Sequence, residues 1–288
     1  MIIVFENLSA DQADIYGLVL SSSNIRHLLK KGERGWDILV NETQYEKALN
    51  TIEQYLEENR DLRSKGEPPC YDYGKTLTGL WVSAILLACH VAIAIGNDSR
   101  SFIKAYGSSA FHILRGELYR SATSLMIHAN ALHLAGNIFG IAIFGTAVCT
   151  ITGWGVGWLM ILATGIAGNL LNALLYKAGH LSVGASTAVF GAIGILAAHQ
   201  FVKKVRLPGR QMKAWLALGG GLALLGILGS GKYTDLTAHM FGFIAGIVLG
   251  AVYGFFVKRP AAKAYQVCFL VIALCLIIIS WMMPFGHA

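Results

Sequence analysis

The 288-residue sequence predicts an all-α polytopic membrane protein of seven spans, preceded by a small α+β soluble domain. Composition is the first observation behind this. Apolar residues make up 55% of the chain and charged residues only 14%, where a soluble domain carries nearer ~25% charged residues. The second is the distribution of charge. Residues 1–75 hold 22 of the 39 charged side chains and are net −4, whereas residues 76–288 hold 17 and are net +11. The third is run length. No Asp, Glu, Lys or Arg occurs in 76–97, 121–176, 178–202, 214–231, 236–257 or 264–288, and roughly 20 apolar residues let a helix cross a bilayer core. These observations exclude a soluble enzyme and a disordered chain. They also argue against a nucleic-acid binder, because the surplus of positive charge sits on short loops between apolar segments, where membrane topology accounts for it.

The N-terminus, MIIVFENLSADQAD, is acidic soon after Met1 and lacks a basic segment followed by a long apolar core, so it does not read as a cleaved signal peptide. Residues 1–58 are expected to form the α+β cytosolic domain. Ile2 to Phe5 reads as a short strand, and Asp11 to Leu20 has apolar residues at helical spacing. Ile25 to Leu29 and Trp36 to Val40 resemble a strand pair turned by Lys31 to Gly35. Asn41 or Thr43 is placed to cap a last helix through Leu56. The order strand, helix, strand, strand, helix suggests a ferredoxin-like half or a close relative. Residues 59–75 are a polar linker with two prolines. No motif in this module carries chemistry, and it reads as a regulatory or stabilising accessory.

From residue 76 the expected spans are about 77–96, 124–148, 153–174, 185–202, 213–230, 236–257 and 264–283. The uncharged run 121–176 is too long for one helix, and the Gly/Thr-rich stretch Thr150 to Gly157 divides it into a hairpin. Orientation follows the basic residues. Lys203, Lys204, Arg206, Arg210 and Lys213 lie between spans four and five, and Lys258, Arg259 and Lys263 between six and seven. By parity these share one side with Arg60, Arg63, Lys65 and Lys75, so that side is cytoplasmic, with the N-terminal module inside and the C-terminus outside. The outer loop 97–123 is long enough to do more than connect. Of five cysteines, four fall inside apolar runs and none makes a CxxC, which reads as buried small apolar residues rather than disulfides or a zinc site. No metal and no cofactor is expected. Trp154, Trp158 and Trp281 read as interface anchors.

Polar side chains inside spans are costly and therefore functional candidates. His128, His133 and Asn137 stand near the start of span two, Ser186 at the start of span four and His239 at the start of span six. All three spans enter from the outer face, so a nucleophile, a base and hydrogen-bond donors share one depth in the outer half of the bilayer. Span six carries Gly242, Gly246, Gly250 and Gly254 on one face, and span four carries Gly184, Ala188, Gly191, Ala192 and Gly194. Such small residues let membrane helices pack almost backbone to backbone, near enough for the ~2.6–3.2 Å hydrogen bond between a serine and a histidine. His90 and His199 read as packed or interfacial, Asn169 and Asn172 as interhelical glue, and His27, His112 and His180 as loop or soluble-module residues. Asp235, four residues before His239, could face it on the helix, but reads first as a helix-start charge at the interface.

GELYRSATSLMIHANALHLAGN, then GAST followed by AVFG, then AHMFGFIAG, resembles the rhomboid intramembrane serine proteases over residues 77 to 257. The resemblance implies a six-helix core, 76–257, to which residues 258–288 add a seventh helix. The N-terminal module is similar to the cytosolic domain of some bacterial rhomboids, which implies a bacterial inner membrane. The implied site has Ser186 as nucleophile and His239 as general base. His133, Asn137 and the Ser186 N–H would stabilise the oxyanion, and His128 would be a supporting residue for the outer loop. Gly184 would permit the tight turn that exposes Ser186. Glu117 and Arg120 match an outer-loop motif in which the residue before the arginine is usually Trp and here is Tyr119. The implied partners are transmembrane protein substrates and the lipid bilayer, with cleavage near the outer face at segments rich in weak helix formers. Two other readings remain. A proteolytically dead relative would be expected to lack the nucleophile or base, and a transporter or channel would be expected to show mid-membrane charge or an internal repeat.

Overall fold

A computed structural model describes residues 1–32, 35–59, 76–96, 99–207, 211–229, 234–257 and 261–283. The chain divides into two compact units, Met1–Cys70 and Tyr71–Ala288.

In the first unit, strand β1 (Ile2–Leu8) leads into helix α1 (Ala10–Ser22), followed by β2 (His27–Lys31), β3 (Trp36–Val40) and α2 (Tyr45–Glu58). Ser9 starts α1 through a capping box: its side chain accepts from the Gln12 amide while the Gln12 side chain accepts from the Ser9 amide. The sheet order is β1-β3-β2, with β3 antiparallel to both neighbours. This is the split βαβ arrangement that the element order suggested. Tyr16, Leu20, Ile25, Ile38, Val40, Ala48 and Ile52 form its core. One expectation fails here. Neither Asn41 nor Thr43 caps α2, because Glu42–Gln44 form a separate 3-10 turn and Tyr45 begins the helix without a side-chain cap. The turn residues Glu33 and Arg34 and most of the 59–75 linker lie outside the described residues.

The second unit contains seven described helices long and apolar enough to cross a membrane. They are α3 (Thr78–Ile95), α5 (Ala131–Thr152), α6 (Trp154–Tyr176), α7 (Ser186–Val205), α8 (Gln211–Gly229), α9 (Leu236–Phe256) and α10 (Lys263–Met282). A shorter helix, α4 (Ser99–Tyr106), follows α3. Large apolar side chains such as Leu216, Ile227, Phe256 and Ile278 point outward, the surface a multi-pass integral membrane protein presents to lipid. Span two starts later than the uncharged run suggested. Asn130 begins α5 by accepting from the His133 amide at 2.9 Å, and Ser124–Met126 form a 3-10 turn before it. His128 therefore precedes the span rather than lying in it. Gly153, with φ +88°, separates α5 from α6 inside the expected Thr150 to Gly157 divide.

Helix α7 is the central element, packed against α6, α8 and α9. The expected small-residue faces meet there. A Cβ at Gly242, Gly246 or Gly250 would collide with the carbonyl of Thr187, Gly191 or Ile195, respectively. Helix α10 packs on α6, where Gln266, 1% exposed, inserts into the α5–α6 turn. Its Oε1 accepts from the Gly155 and Val156 amides at 2.8 and 3.0 Å, and its Nε2 donates to the Thr152 carbonyl. Two expectations are corrected by this packing. Trp158 is buried beneath Gly145 instead of anchoring an interface, and Cys268 and Cys275 are exposed on the outer face of α10 while Cys149 alone of the described cysteines is buried. Cys70 lies outside the described residues.

Candidate active site

Ser186 and His239 stand at the first turns of α7 and α9, and the His239 Nε2 lies 2.7 Å from the Ser186 Oγ. The glycine contacts between the two helices make that approach possible. Phe190, one turn below Ser186, packs its ring 4.7 Å from the His239 imidazole at 32°. The His239 ring is thus held by packing, and its Nδ1 has no hydrogen-bond partner among the described residues.

The segment leading to Ser186 is held from several sides. Gly184 has φ +126°, donates its N–H to the Ser124 carbonyl at 2.9 Å, and lies against His133 and Asn137. A Cβ there would come within 2.6 Å of the His133 ring and 3.5 Å of the Asn137 Nδ2. His133 and Asn137 share one face of α5, and Asn137 Nδ2 donates to the His133 carbonyl. His128 Nε2 accepts from the Ala185 amide at 3.3 Å. It therefore braces the residue before Ser186. Thr187 donates to Asn169 Oδ1, and the Asn169 amide donates to Ser121 and Ser124.

The loop between α4 and α5 is tied by Arg120, which is 6% exposed. Its Nε donates to Glu117 Oε2 at 2.7 Å and its Nη1 to the Lys104 carbonyl at 2.7 Å. The Tyr119 hydroxyl also donates to Glu117 Oε2. Partial burial pushes the Glu117 carboxyl up, but the hydrogen bonds from Arg120 and Tyr119 outweigh it and hold the group below its ordinary value. Strand β4 (Ser108–Ser109) pairs antiparallel with β5 (Leu181–Ser182), so this loop is stitched to the approach to Ser186. Every candidate residue is thus placed around one end of α5, α7 and α9, apart from Glu117 and Arg120, which shape the adjoining loop.

One group was not anticipated as a unit. His180, Asn172 and Asp235 converge from three elements: His180 Nε2 lies 2.6 Å from Asp235 Oδ2, and Asn172 Nδ2 donates to the same oxygen at 2.8 Å. Burial pushes the Asp235 carboxyl up, yet the bonds from His180, the Ala238 amide and Thr237 together leave it below the ordinary carboxylate value. The one signal in the sequence was scarcity, since Asp98, Glu117 and Asp235 are the sole acids after residue 75. Among the described residues, no three His, Cys, Asp or Glu side chains are arranged to hold a metal ion.

A multi-pass helical bundle with a serine and a histidine in contact at one end defines the class of protein. A family model of the rhomboid domain matches residues 115–256. RHOMBOID-like protein 1 of Arabidopsis thaliana is 29% identical over 155 residues, 52% of this chain and 39% of that protein. Rhomboid protease GluP of Bacillus subtilis is 28% identical over 231 residues, covering 77% of this chain and 43% of its own length. Rhomboid-like protease 3 of Toxoplasma gondii is 28% identical over 202 residues, covering 68% and 76%. The chain belongs to the rhomboid family. It spans less than half the length of the Arabidopsis and Bacillus relatives.

Proposed function

We propose that this chain is an intramembrane serine endopeptidase that cleaves transmembrane helices of membrane proteins near the outer face. The observation that carries the reading is the 2.7 Å contact between Ser186 Oγ and His239 Nε2. His239 Nε2 takes the Oγ proton as the oxygen attacks the scissile carbonyl. The tetrahedral intermediate collapses, the imidazolium gives that proton to the departing amine, and an acyl-Ser186 ester remains. Water, deprotonated by the same nitrogen, then hydrolyses the ester and restores the hydroxyl. The oxyanion is stabilised by His133 and Asn137, which lie against Gly184, and by the Ser186 N–H. Loss of one such donor costs roughly 10²–10³ in rate in other serine hydrolases. Packing against Phe190 takes the orienting part that a buried acid plays in a triad.

Water must reach this site from the outer aqueous phase, with the 97–123 loop and the start of α9 beside its mouth. A helical substrate must unwind locally, because its carbonyls are hydrogen-bonded and shielded. Substrates with Gly, Pro or other weak helix formers at the outer boundary are therefore favoured. We place the protein in a bacterial inner membrane, on the likeness of its N-terminal module to that of some bacterial rhomboids, and the module in the cytoplasm, on the loop charges. The test is cleavage of a single-span reporter by the purified full chain. Ser186→Ala and His239→Ala are each expected to abolish it. Full activity in either variant, or a wild-type chain that neither cleaves nor reacts with a fluorophosphonate at Ser186, would sink the reading.

A further inference from the structure

We propose that His180 and Asp235 form a latch that sets the spacing of Ser186 and His239, which makes them positioning residues. The inference rests on the serine-protease reading above. His180 lies six residues before Ser186 and Asp235 four before His239, so the 2.6 Å contact between them joins the two segments that lead into the reacting groups. Asn172, 1% exposed on α6, donates to the same Asp235 oxygen and ties the latch to the bundle. The Tyr176 ring lies flat on the His180 imidazole, 4.0 Å between centroids and 6° between planes, which fixes its direction.

Helix capping does not account for this arrangement. Asp235 Oδ1 alone accepts from the Ala238 amide at 3.1 Å and from Thr237 at 2.9 Å, which completes the cap. Oδ2 is left to receive two donors from two other elements. The backbone contacts between α7 and α9 also stop short of this level. Their outermost member is Gly242 against the Thr187 carbonyl, and beyond it toward the helix starts the latch is, among the described residues, the next direct polar link between the two segments besides the Ser186–His239 pair itself. A displacement of about 1 Å at reacting atoms can cost on the order of 10²-fold in rate, so the outer end of α9 requires such a tie.

The test uses the full chain in detergent and the rate of Ser186 labelling by a fluorophosphonate, a readout that needs no substrate. His180→Phe keeps a ring on Tyr176 and removes the donor. Asp235→Asn keeps the capping oxygen and replaces Oδ2 with an amide. With each variant assayed below its own Tm, both are expected to label at least about tenfold more slowly, and the double variant no more slowly than the worse single one. His180→Gln, whose amide can donate, is expected to recover most of the rate, and reporter cleavage by the single variants to lose kcat with KM held. If one variant fails to fold, the other carries the measurement. Wild-type labelling rates in the folded single variants, or losses that multiply in the double, overturn the latch. A wild-type chain that does not label overturns the protease reading instead.

Discussion

Gly184 bears the strictest local demand in the site. Its φ of +126° lies where side chains are strained, and the space over its Cα is taken by His133. Gly184→Ala is expected to lower stability by about 1–3 kcal/mol and to reduce Ser186 labelling by more than tenfold. A variant that labels normally would show that the turn tolerates a side chain. Asp235 sets a pH dependence. A carboxyl held below its ordinary value binds fewer protons folded than unfolded, so its contribution is present above about pH 4 and is lost as pH falls through the folded value. Thermal unfolding of the wild type should therefore weaken between about pH 5 and 3 more steeply than that of Asp235→Asn. Equal slopes would remove Asp235 from the acid response. Ser186, His239, His133 and Asn137 were readable in the sequence because polar groups in uncharged runs are conspicuous. His180 and Asn172 were not, since their meaning comes from a partner 55 and 63 residues away.

Helix packing rests on glycines whose surroundings differ sharply. Gly246 on α9 has the Gly191 carbonyl where a Cβ would go, while Gly220 on α8 has open space. Gly246→Ala should destabilise by about 1–3 kcal/mol in a denaturant titration, and Gly220→Ala should be neutral or stabilising by up to about 1 kcal/mol. The reverse ranking would refute the backbone-to-backbone packing of α7 and α9. The seventh helix is attached by a buried amide. Gln266→Leu leaves two N–H groups and a carbonyl of the α5–α6 turn unsatisfied, at a cost of about 1–3 kcal/mol in Tm-derived stability. A variant as stable as wild type would mean that water or neighbouring groups replace it. Span boundaries were readable to within a few residues wherever a charge or glycine marked them. The start of α5 was not, because the uncharged stretch 121–130 is broken into a short helical turn, a 3-10 turn and an extended link before the Asn130 side chain starts the span.

Seven described helices are long and apolar enough to cross a bilayer, and the orientation proposed above, with the N-terminal side in the cytoplasm, rests on the basic loops. A phosphatase reporter active only outside the cytoplasm should be silent when fused after Leu207 and active when fused after Met283. The opposite pattern would invert the orientation and move the proposed cleavage to the inner face. The seven apolar helices, the α+β module with its split βαβ order and the prominence of Ser186 and His239, which the fold brings into contact, were legible in local composition and motif, because long apolar runs form helices in lipid and make each polar intrusion visible. Tertiary structure alone decided that α7 sits at the centre, that His128 braces Ala185, that Gln266 holds α10 to the α5–α6 turn, and that Asp235 meets His180 and Asn172. Those are contacts between groups far apart in the chain, and no pattern along one segment encodes the distance to another.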